Sequence, residues 1–161
     1  MAQVFASLGS NQERERNIRS AVIELGKIYG ELQCSPVYRN KAVGFAGDDF
    51  LNMVVAFETQ RSPEQIQQDF HVIEAAHGRC RGDDKFIPRN LDIDLILYGS
   101  QVSERPRLPR EDILRYAFVL KPLADLAPDL QHPVLRESYA ELWNKFTGER
   151  ALTPVAGVLA E

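Results

Sequence analysis

The chain has 161 residues and a formal net charge of −4, with 44% hydrophobic and 26% charged residues. The length suits one domain, and the composition excludes disorder, coiled coils and collagen-like repeats. No apolar run reaches the roughly 20 residues that span a bilayer, and the N-terminus turns polar too early for a signal peptide. We therefore expect a single domain over 1–161, in the cytoplasm, without a membrane or nucleic-acid partner.

Hydrophobic patterning predicts alternating strands and helices. Apolar runs bounded by turn residues predict four strands, over residues 2–8, 31–39, 50–60 and 91–98. Helical spacing predicts two helices between them, over about 17–29 and 63–76. The second helix should start at Ser62, a hydroxyl N-cap followed by proline at the first position.

The order β-α-β-β-α-β predicts an α+β, ferredoxin-like fold, with a four-stranded antiparallel sheet and helices on one face. Pro36 makes the second strand an edge or bulged strand. Further helical patterns near 109–125 and 136–146 predict additional C-terminal helices. The last residues, 147–161, are either a flexible tail or a docking tail.

The last of the four strands carries the strongest chemical signal. Its expected core face consists of Leu91, Ile93, Leu95 and Leu97. Because side chains alternate along a strand, Asp92 and Asp94 share the other face. Two adjacent carboxylates repel each other, and a hard cation such as magnesium relieves that repulsion. The alternative is a solvated strand face, although aspartate is unfavourable in strands.

The loop before this strand is basic. Residues 78–90 show no apolar period, and their cations are Arg79, Arg81, Lys85 and Arg89. Arginine binds phosphate through a planar fork, so the acid pair and the loop together predict a magnesium–nucleotide site. Neither a P-loop nor a kinase-type glycine-rich loop is present in the sequence. A solvated charged surface is an equal alternative for the loop taken alone.

A second group of residues follows the loop at 40–49. Phe50 could stack on a planar ligand, and Asn52 offers a donor and an acceptor to the edge of a heterocycle. Taken alone, these residues are more simply explained as a core aromatic and a strand-edge amide.

Five sequence blocks then match one known family in order and spacing. They begin at Leu8-Gly9-Ser10-Asn11 and end at Ala127-Pro128-Asp129-Leu130, and the most specific is Pro88-Arg89-Asn90-Leu91-Asp92-Ile93-Asp94. Over residues 1 to about 132 the chain resembles the 6-hydroxymethyl-7,8-dihydropterin pyrophosphokinase family of folate biosynthesis.

The resemblance implies an enzyme that transfers pyrophosphate from Mg-ATP to the hydroxymethyl oxygen of 6-hydroxymethyl-7,8-dihydropterin and releases AMP. It implies two magnesium ions held by Asp92 and Asp94, with Arg79 and Arg89 as further catalytic residues. The positions that match nucleotide contacts are Glu74, Arg81, Lys85, Arg110 and Arg115. Those that match pterin contacts are Ala42, Val43, Gly44, Phe50, Asn52 and Phe118. We expect a monomer.

Three positions depart from the family pattern. Phe86 stands where the family usually has tryptophan, Arg110 where it has histidine, and Tyr116 where it has arginine. The alternative function is therefore a diverged, weakly active or inactive relative that binds pterin or nucleotide in a regulatory or subunit role. RNA binding through strand aromatics is disfavoured, because the basic sheet face and aromatic motif that it requires are missing from the sequence.

Overall fold

The computed structural model describes residues 1–41, 47–78 and 91–159. In these ranges the strands are β1 (Ala2–Ser10), β2 (Gln33–Cys34), β3 (Val37–Asn40), β4 (Phe50–Thr59), β5 (Asp92–Tyr98), β6 (Ser103–Glu104), β7 (Arg107–Leu108) and β8 (Thr153–Val155). The helices are α1 (Arg14–Tyr29), α2 (Pro63–Ala76), α3 (Asp112–Arg115), α4 (Ala117–Leu126) and α5 (Tyr139–Lys145). None of the described helices is long and apolar enough to cross a membrane.

The main sheet has the order β5-β1-β4-β3-β8, with β2 also paired to β4, and every pairing is antiparallel. The first four strands in this order are β5, β1, β4 and β3, and α1 and α2 are the crossovers. This confirms the predicted ferredoxin-like arrangement. The sheet has six strands instead of four for two reasons. The predicted strand over 31–39 divides at Ser35 and Pro36, and β8 adds a strand at the edge. The division occurs where proline lacks an N–H for the ladder.

Helices cover both faces of the sheet. On one face, α1 and α2 pack on alternate residues of β1, β4 and β5 through Ile18, Leu25, Ile66 and Phe70. On the other face, the C-terminal helices α3 to α5 pack on Phe5, Val54 and Ile96. The helices predicted after residue 109 therefore form a second core instead of extending the first.

A bulge in β5 corrects one prediction about its core face. Leu91, Ile93 and Leu95 lie in the α1–α2 core as predicted, but Leu97 lies in the opposite core beside Ile96. The register explains this, since Ala6 of β1 pairs with Leu95 while Phe5 pairs with Leu97. One extra residue in β5 reverses the alternation from that point.

Two helix boundaries have clear local causes. Ser62 caps α2 in a reciprocal capping box with Gln65, which confirms the predicted start. The helical pattern over 109–125 divides into α3 and α4, because Tyr116 adopts an extended conformation with φ −124° and ψ 128°. This break turns Tyr116 and Phe118 toward the sheet end that is described below.

The C-terminal segment docks on the sheet. Its strand β8 pairs with β3, so that Val37 lies opposite Val155. Val158 is only 4% exposed and belongs to the α1–α2 core, and its carbonyl oxygen accepts a hydrogen bond of 3.1 Å from Arg19 Nε. The tail therefore contributes both an edge strand and a core side chain.

We expect Val158→Ala to lower the free energy of unfolding by about 1–3 kcal/mol, because it removes two buried methyl groups. The free energy of unfolding is measured by urea denaturation, with circular dichroism as the signal. The matched control is Val134→Ala, at a position that is 56% exposed, which should change stability by less than about 0.5 kcal/mol. Equal effects of the two substitutions would show that the tail does not contribute to the core.

Candidate functional site

A cavity of about 250 Å³ opens on the α3–α4 face of the sheet, where β1 ends and β4 and β5 begin. Five residues predicted from the sequence meet in its wall, namely Phe50, Asn52, Asp92, Asp94 and Phe118. The other lining residues are Ser7, Leu8, Gly9, Asn40, Asp112, Tyr116 and Val119. The cavity has a polar aromatic end and an acidic end, which meet across β1.

Strand register brings these two ends together at Gly9. Asn52 of β4 and Asp92 of β5 both lie directly opposite Gly9, one on each side. A Cβ atom on Gly9 would approach Asn52 Oδ1 to 2.7 Å, which is shorter than real Cβ contacts. A larger residue here would therefore displace the Asn52 amide, which lies over the backbone of β1.

Asn40, at the end of β3, fixes the orientation of the Asn52 amide. Asn52 Nδ2 donates a hydrogen bond to Asn40 Oδ1, which leaves Asn52 Oδ1 on the side of Gly9. Asn52 is 7% exposed, so its amide is held and largely shielded from water. Both residues line the cavity.

Aromatic rings form the adjoining wall. The rings of Tyr116 and Phe118 are stacked, with centroids 4.9 Å apart and an angle of 15° between their planes. Phe50, half-buried at the start of β4, also lines the cavity. Tyr116, one of the three departures from the family pattern, thus adds a ring instead of a cation. Flat apolar walls beside a fixed amide suit a planar heterocycle.

Among the described residues, three carboxylates form the acidic end, and one guanidinium lies beside them. Asp92 and Asp94 lie on the cavity face of β5, and Asp112 reaches the cavity from α3. Arg110 places Nη2 3.7 Å from Asp94 Oδ1 and Nε 3.2 Å from Asp112 Oδ2. Burial alone would lower the pKa of Arg110, but the charges of Asp94, Asp112 and Asp92 outweigh burial and raise that pKa. The guanidinium therefore stays charged.

Glu74 supports the aspartate strand from the opposite side. It is 2% exposed, and its Oε2 accepts a hydrogen bond of 2.9 Å from the backbone N–H of Ile93. Because β5 is an edge strand, alternate N–H groups along it have no strand partner, and Glu74 satisfies one of them. This bond fixes the backbone between Asp92 and Asp94.

Two of the predicted nucleotide contacts lie away from the cavity. Within the described ranges, neither Glu74 nor Arg115 lines it. Arg115 is 61% exposed, lies 3.8 Å from Glu111 and lines a neighbouring cleft of about 860 Å³. Arg110 is not among the lining residues either, but its Nη2 lies 3.7 Å from Oδ1 of Asp94, which lines the acidic end. Seven other predicted residues lie outside the described residues: Ala42, Val43, Gly44, Arg79, Arg81, Lys85 and Arg89.

Asn40 and Asp112 also line the cavity but are not among the site residues predicted from the sequence. Asn40 ends a strand next to a loop, which is a polar position of no particular significance until the register with β4 is known. Asp112 lies at the start of a one-turn helix, where an acidic residue is common for local reasons alone. Only the fold of the described residues shows that Asp112 lines the cavity.

Comparison with known proteins identifies the family. The sequence model of the family 7,8-dihydro-6-hydroxymethylpterin-pyrophosphokinase (HPPK) matches residues 5–128. The 2-amino-4-hydroxy-6-hydroxymethyldihydropteridine pyrophosphokinase of Pseudomonas aeruginosa is 37% identical over 137 residues, which cover 81% of this chain and 84% of that protein. The protein of the same name from Aquifex aeolicus is 31% identical and covers 99% of both chains.

Solved structures show the same fold. HPPK-DHPS of Plasmodium falciparum, in its structure with pteroate, superposes with a TM-score of 0.72 at 12% identity, covering 90% of this chain and 42% of that one. The chain thus spans less than half the length of the solved chains that it resembles. At this identity the likeness shows the fold alone, whereas the sequence matches show the family. The chain belongs to the 7,8-dihydro-6-hydroxymethylpterin-pyrophosphokinase family.

Proposed function

We propose that the cavity between β1, β4 and β5 is the active site in which this chain transfers pyrophosphate from ATP to 6-hydroxymethyl-7,8-dihydropterin. Pyrophosphokinase activity in folate biosynthesis and the use of ATP are properties of the family to which the chain belongs. The observation that carries the assignment is the meeting of an amide–aromatic end and an acidic end in one cavity. These are the two chemistries that a heterocycle and a metal-bound triphosphate require.

The pterin is assigned to the end formed by Asn52, Phe50 and Phe118. A pterin ring presents hydrogen-bond donors and acceptors along one edge and two flat faces. The fixed Asn52 amide can pair with the edge, and the aromatic rings can pack on the faces. Asn40 holds the amide in one orientation, so little conformational entropy is lost when the ring binds. The hydroxymethyl group then points toward the acidic end.

The acidic end is assigned to Mg²⁺ and the phosphates of ATP. Asp92 and Asp94 fit magnesium, because this ion takes oxygen ligands and typically uses one or two carboxylates together with phosphate oxygens. We propose two ions, as the resemblance implies. Bound there, Mg²⁺ would neutralise the phosphates and make the β-phosphorus easier to attack.

The residues of the chain act mainly by positioning. The hydroxymethyl oxygen forms a bond to the β-phosphorus while the bond from that phosphorus to the α–β bridging oxygen breaks, and AMP leaves. Asn52 and the rings hold the attacking group, and Glu74 holds the β5 backbone between Asp92 and Asp94. Holding both reactants in line accounts for much of the rate in such transfers. Phosphate contacts from Arg79, Arg81, Lys85 and Arg89 are proposed from the sequence alone.

The positions of Arg110 and Tyr116 favour one alternative, a relative that binds pterin and nucleotide in a regulatory or subunit role but transfers slowly. Both side chains lie at the site, where the family usually has histidine and arginine. Tyr116 lacks the cation that the family usually has at this position, and losing a positioned cation near a transferring phosphoryl group can cost orders of magnitude in rate. Monomeric state and cytoplasmic location stay predictions from the sequence.

Pterin-dependent release of AMP from Mg-ATP tests the proposed function. We expect the wild-type chain to release AMP only when 6-hydroxymethyl-7,8-dihydropterin is present. Asp94→Asn should reduce that rate on the order of 10²–10³-fold, because it removes a charge that holds the metal. Asp129→Asn, at an exposed position outside the cavity, is the matched control and should retain the wild-type rate.

Two results would contradict the proposed function, and they have different meanings. A folded wild-type chain that binds both ligands without releasing AMP would favour the regulatory alternative. Full activity in Asp94→Asn would show that the metal is held elsewhere.

We expect Gly9→Ala to raise the KM for the pterin by about tenfold and to change the KM for ATP much less. The added methyl group must displace Asn52 Oδ1, and displacement of a fixed hydrogen-bonding group costs roughly 1–3 kcal/mol. Steady-state kinetics with each substrate varied separately measures this. Gly26→Ala is the control, since its new Cβ meets no atom within 4 Å and alanine favours a helix. Equal rises in both KM values would indicate general distortion and contradict the assignment of Asn52 to the pterin.

A further inference from the structure

We propose that Arg110 and the metal ion compete for Asp94, so that the guanidinium balances the carboxylates in the metal-free site and moves to the phosphates when the metal–nucleotide complex binds. The inference rests on the proposed function, because it takes Asp92 and Asp94 as the metal ligands. It goes further in giving Arg110 two successive partners within one catalytic cycle.

The backbone of Arg110 is anchored beside the metal-binding strand. Its N–H donates a hydrogen bond of 3.0 Å to the carbonyl oxygen of Ile96, two residues beyond Asp94. The side chain is 38% exposed, so it has open space beside it. A fixed backbone with a partly exposed side chain allows the guanidinium to change partners without movement of the strand.

The two contacts of the guanidinium are unequal. Nε lies 3.2 Å from Asp112 Oδ2 and forms a hydrogen bond, whereas Nη2 is 3.7 Å from Asp94 Oδ1, beyond hydrogen-bond length. Asp112 is therefore the tether and Asp94 the exchangeable partner. The Asp94 contact is mainly electrostatic, and a divalent ion at Asp94 replaces it with a stronger attraction.

Charge balance gives the exchange its direction. Without metal, Arg110 offsets part of the repulsion among Asp92, Asp94 and Asp112, because its guanidinium lies 3.2 Å from Asp112 and 3.7 Å from Asp94. With metal at Asp92 and Asp94, the guanidinium is repelled by the ion and attracted by the phosphates that the ion carries. Its planar fork suits phosphate oxygens. The same residue thus weakens binding of the metal alone and strengthens binding of the metal–nucleotide complex.

The proposal states that Arg110 weakens binding of the metal alone. Titration with Mn²⁺ tests this, with the free ion measured by its electron paramagnetic resonance signal. We expect Arg110→Gln to bind Mn²⁺ about three- to tenfold more tightly than the wild type, the range for loss of a partly exposed charge interaction. Arg110→Lys keeps the cation and should bind it as the wild type does. The matched control is Arg107→Gln, because Arg107 pairs with Glu111 at 2.8 Å and is 60% exposed, and this variant should also be unchanged.

The proposal also states that Arg110 strengthens binding of the metal–nucleotide complex. Calorimetry with Mg²⁺ and α,β-methylene-ATP tests this, because a methylene group replaces the α–β bridging oxygen of this analogue and prevents cleavage. Arg110→Gln should weaken binding of this complex by about tenfold, opposite in sign to its effect on Mn²⁺ alone. A variant that merely destabilises the fold would weaken both, and thermal unfolding of each variant reports its stability separately.

Each outcome separates the inference from the proposed function. Unchanged or weaker Mn²⁺ binding by Arg110→Gln, with binding abolished in Asp94→Asn, overturns the exchange and leaves the metal site intact. Wild-type Mn²⁺ binding by Asp94→Asn overturns the metal site itself, and the exchange with it. Tighter Mn²⁺ binding together with weaker nucleotide binding in Arg110→Gln supports the exchange.

Discussion

The alternation of side chains along β5 is the constraint on which the site depends. Burial of Leu91, Ile93 and Leu95 against α1 and α2 leaves Asp92 and Asp94 no direction except the opposite face. Glu74 strengthens this arrangement, because it occupies an edge N–H that lies between the two aspartates. Packing of the core therefore holds the two carboxylates side by side, and the proposed metal would bind a strand whose register is already fixed.

The site also concentrates groups that are unfavourable in isolation. Asn52 is a nearly buried amide, and it is tolerated because Asn40 satisfies it on one side and Gly9 yields space on the other. The carboxylates at the other end are tolerated because Arg110 lies among them. The described residues of both halves are thus held in place by contacts within the chain, which lowers the ordering cost of binding. A site that transfers a highly charged group gains most from such preorganisation.

The features that were predicted correctly depend mainly on interactions between residues close together in the sequence. The N-cap at Ser62, the ferredoxin-like order and the face of Asp92 and Asp94 follow from spacing and side-chain chemistry, and the structure confirms them. The prediction for Leu97 was wrong, because a bulge depends on how two strands meet and leaves no mark in one strand's pattern. Asn40 was missed for a similar reason, since its contact depends on the register between β3 and β4. Long-range register, rather than residue type, limited the prediction.

Anomalous diffraction from crystals grown with Mn²⁺, α,β-methylene-ATP and 6-hydroxymethylpterin tests the central claim most directly. The account predicts manganese peaks within coordination distance, about 2.0–2.3 Å, of carboxylate oxygens of Asp92 and Asp94. It also predicts the pterin edge on the Asn52 amide and its ring beside Phe118. Manganese bound to other side chains, or a pterin outside the cavity between β1, β4 and β5, would contradict the account.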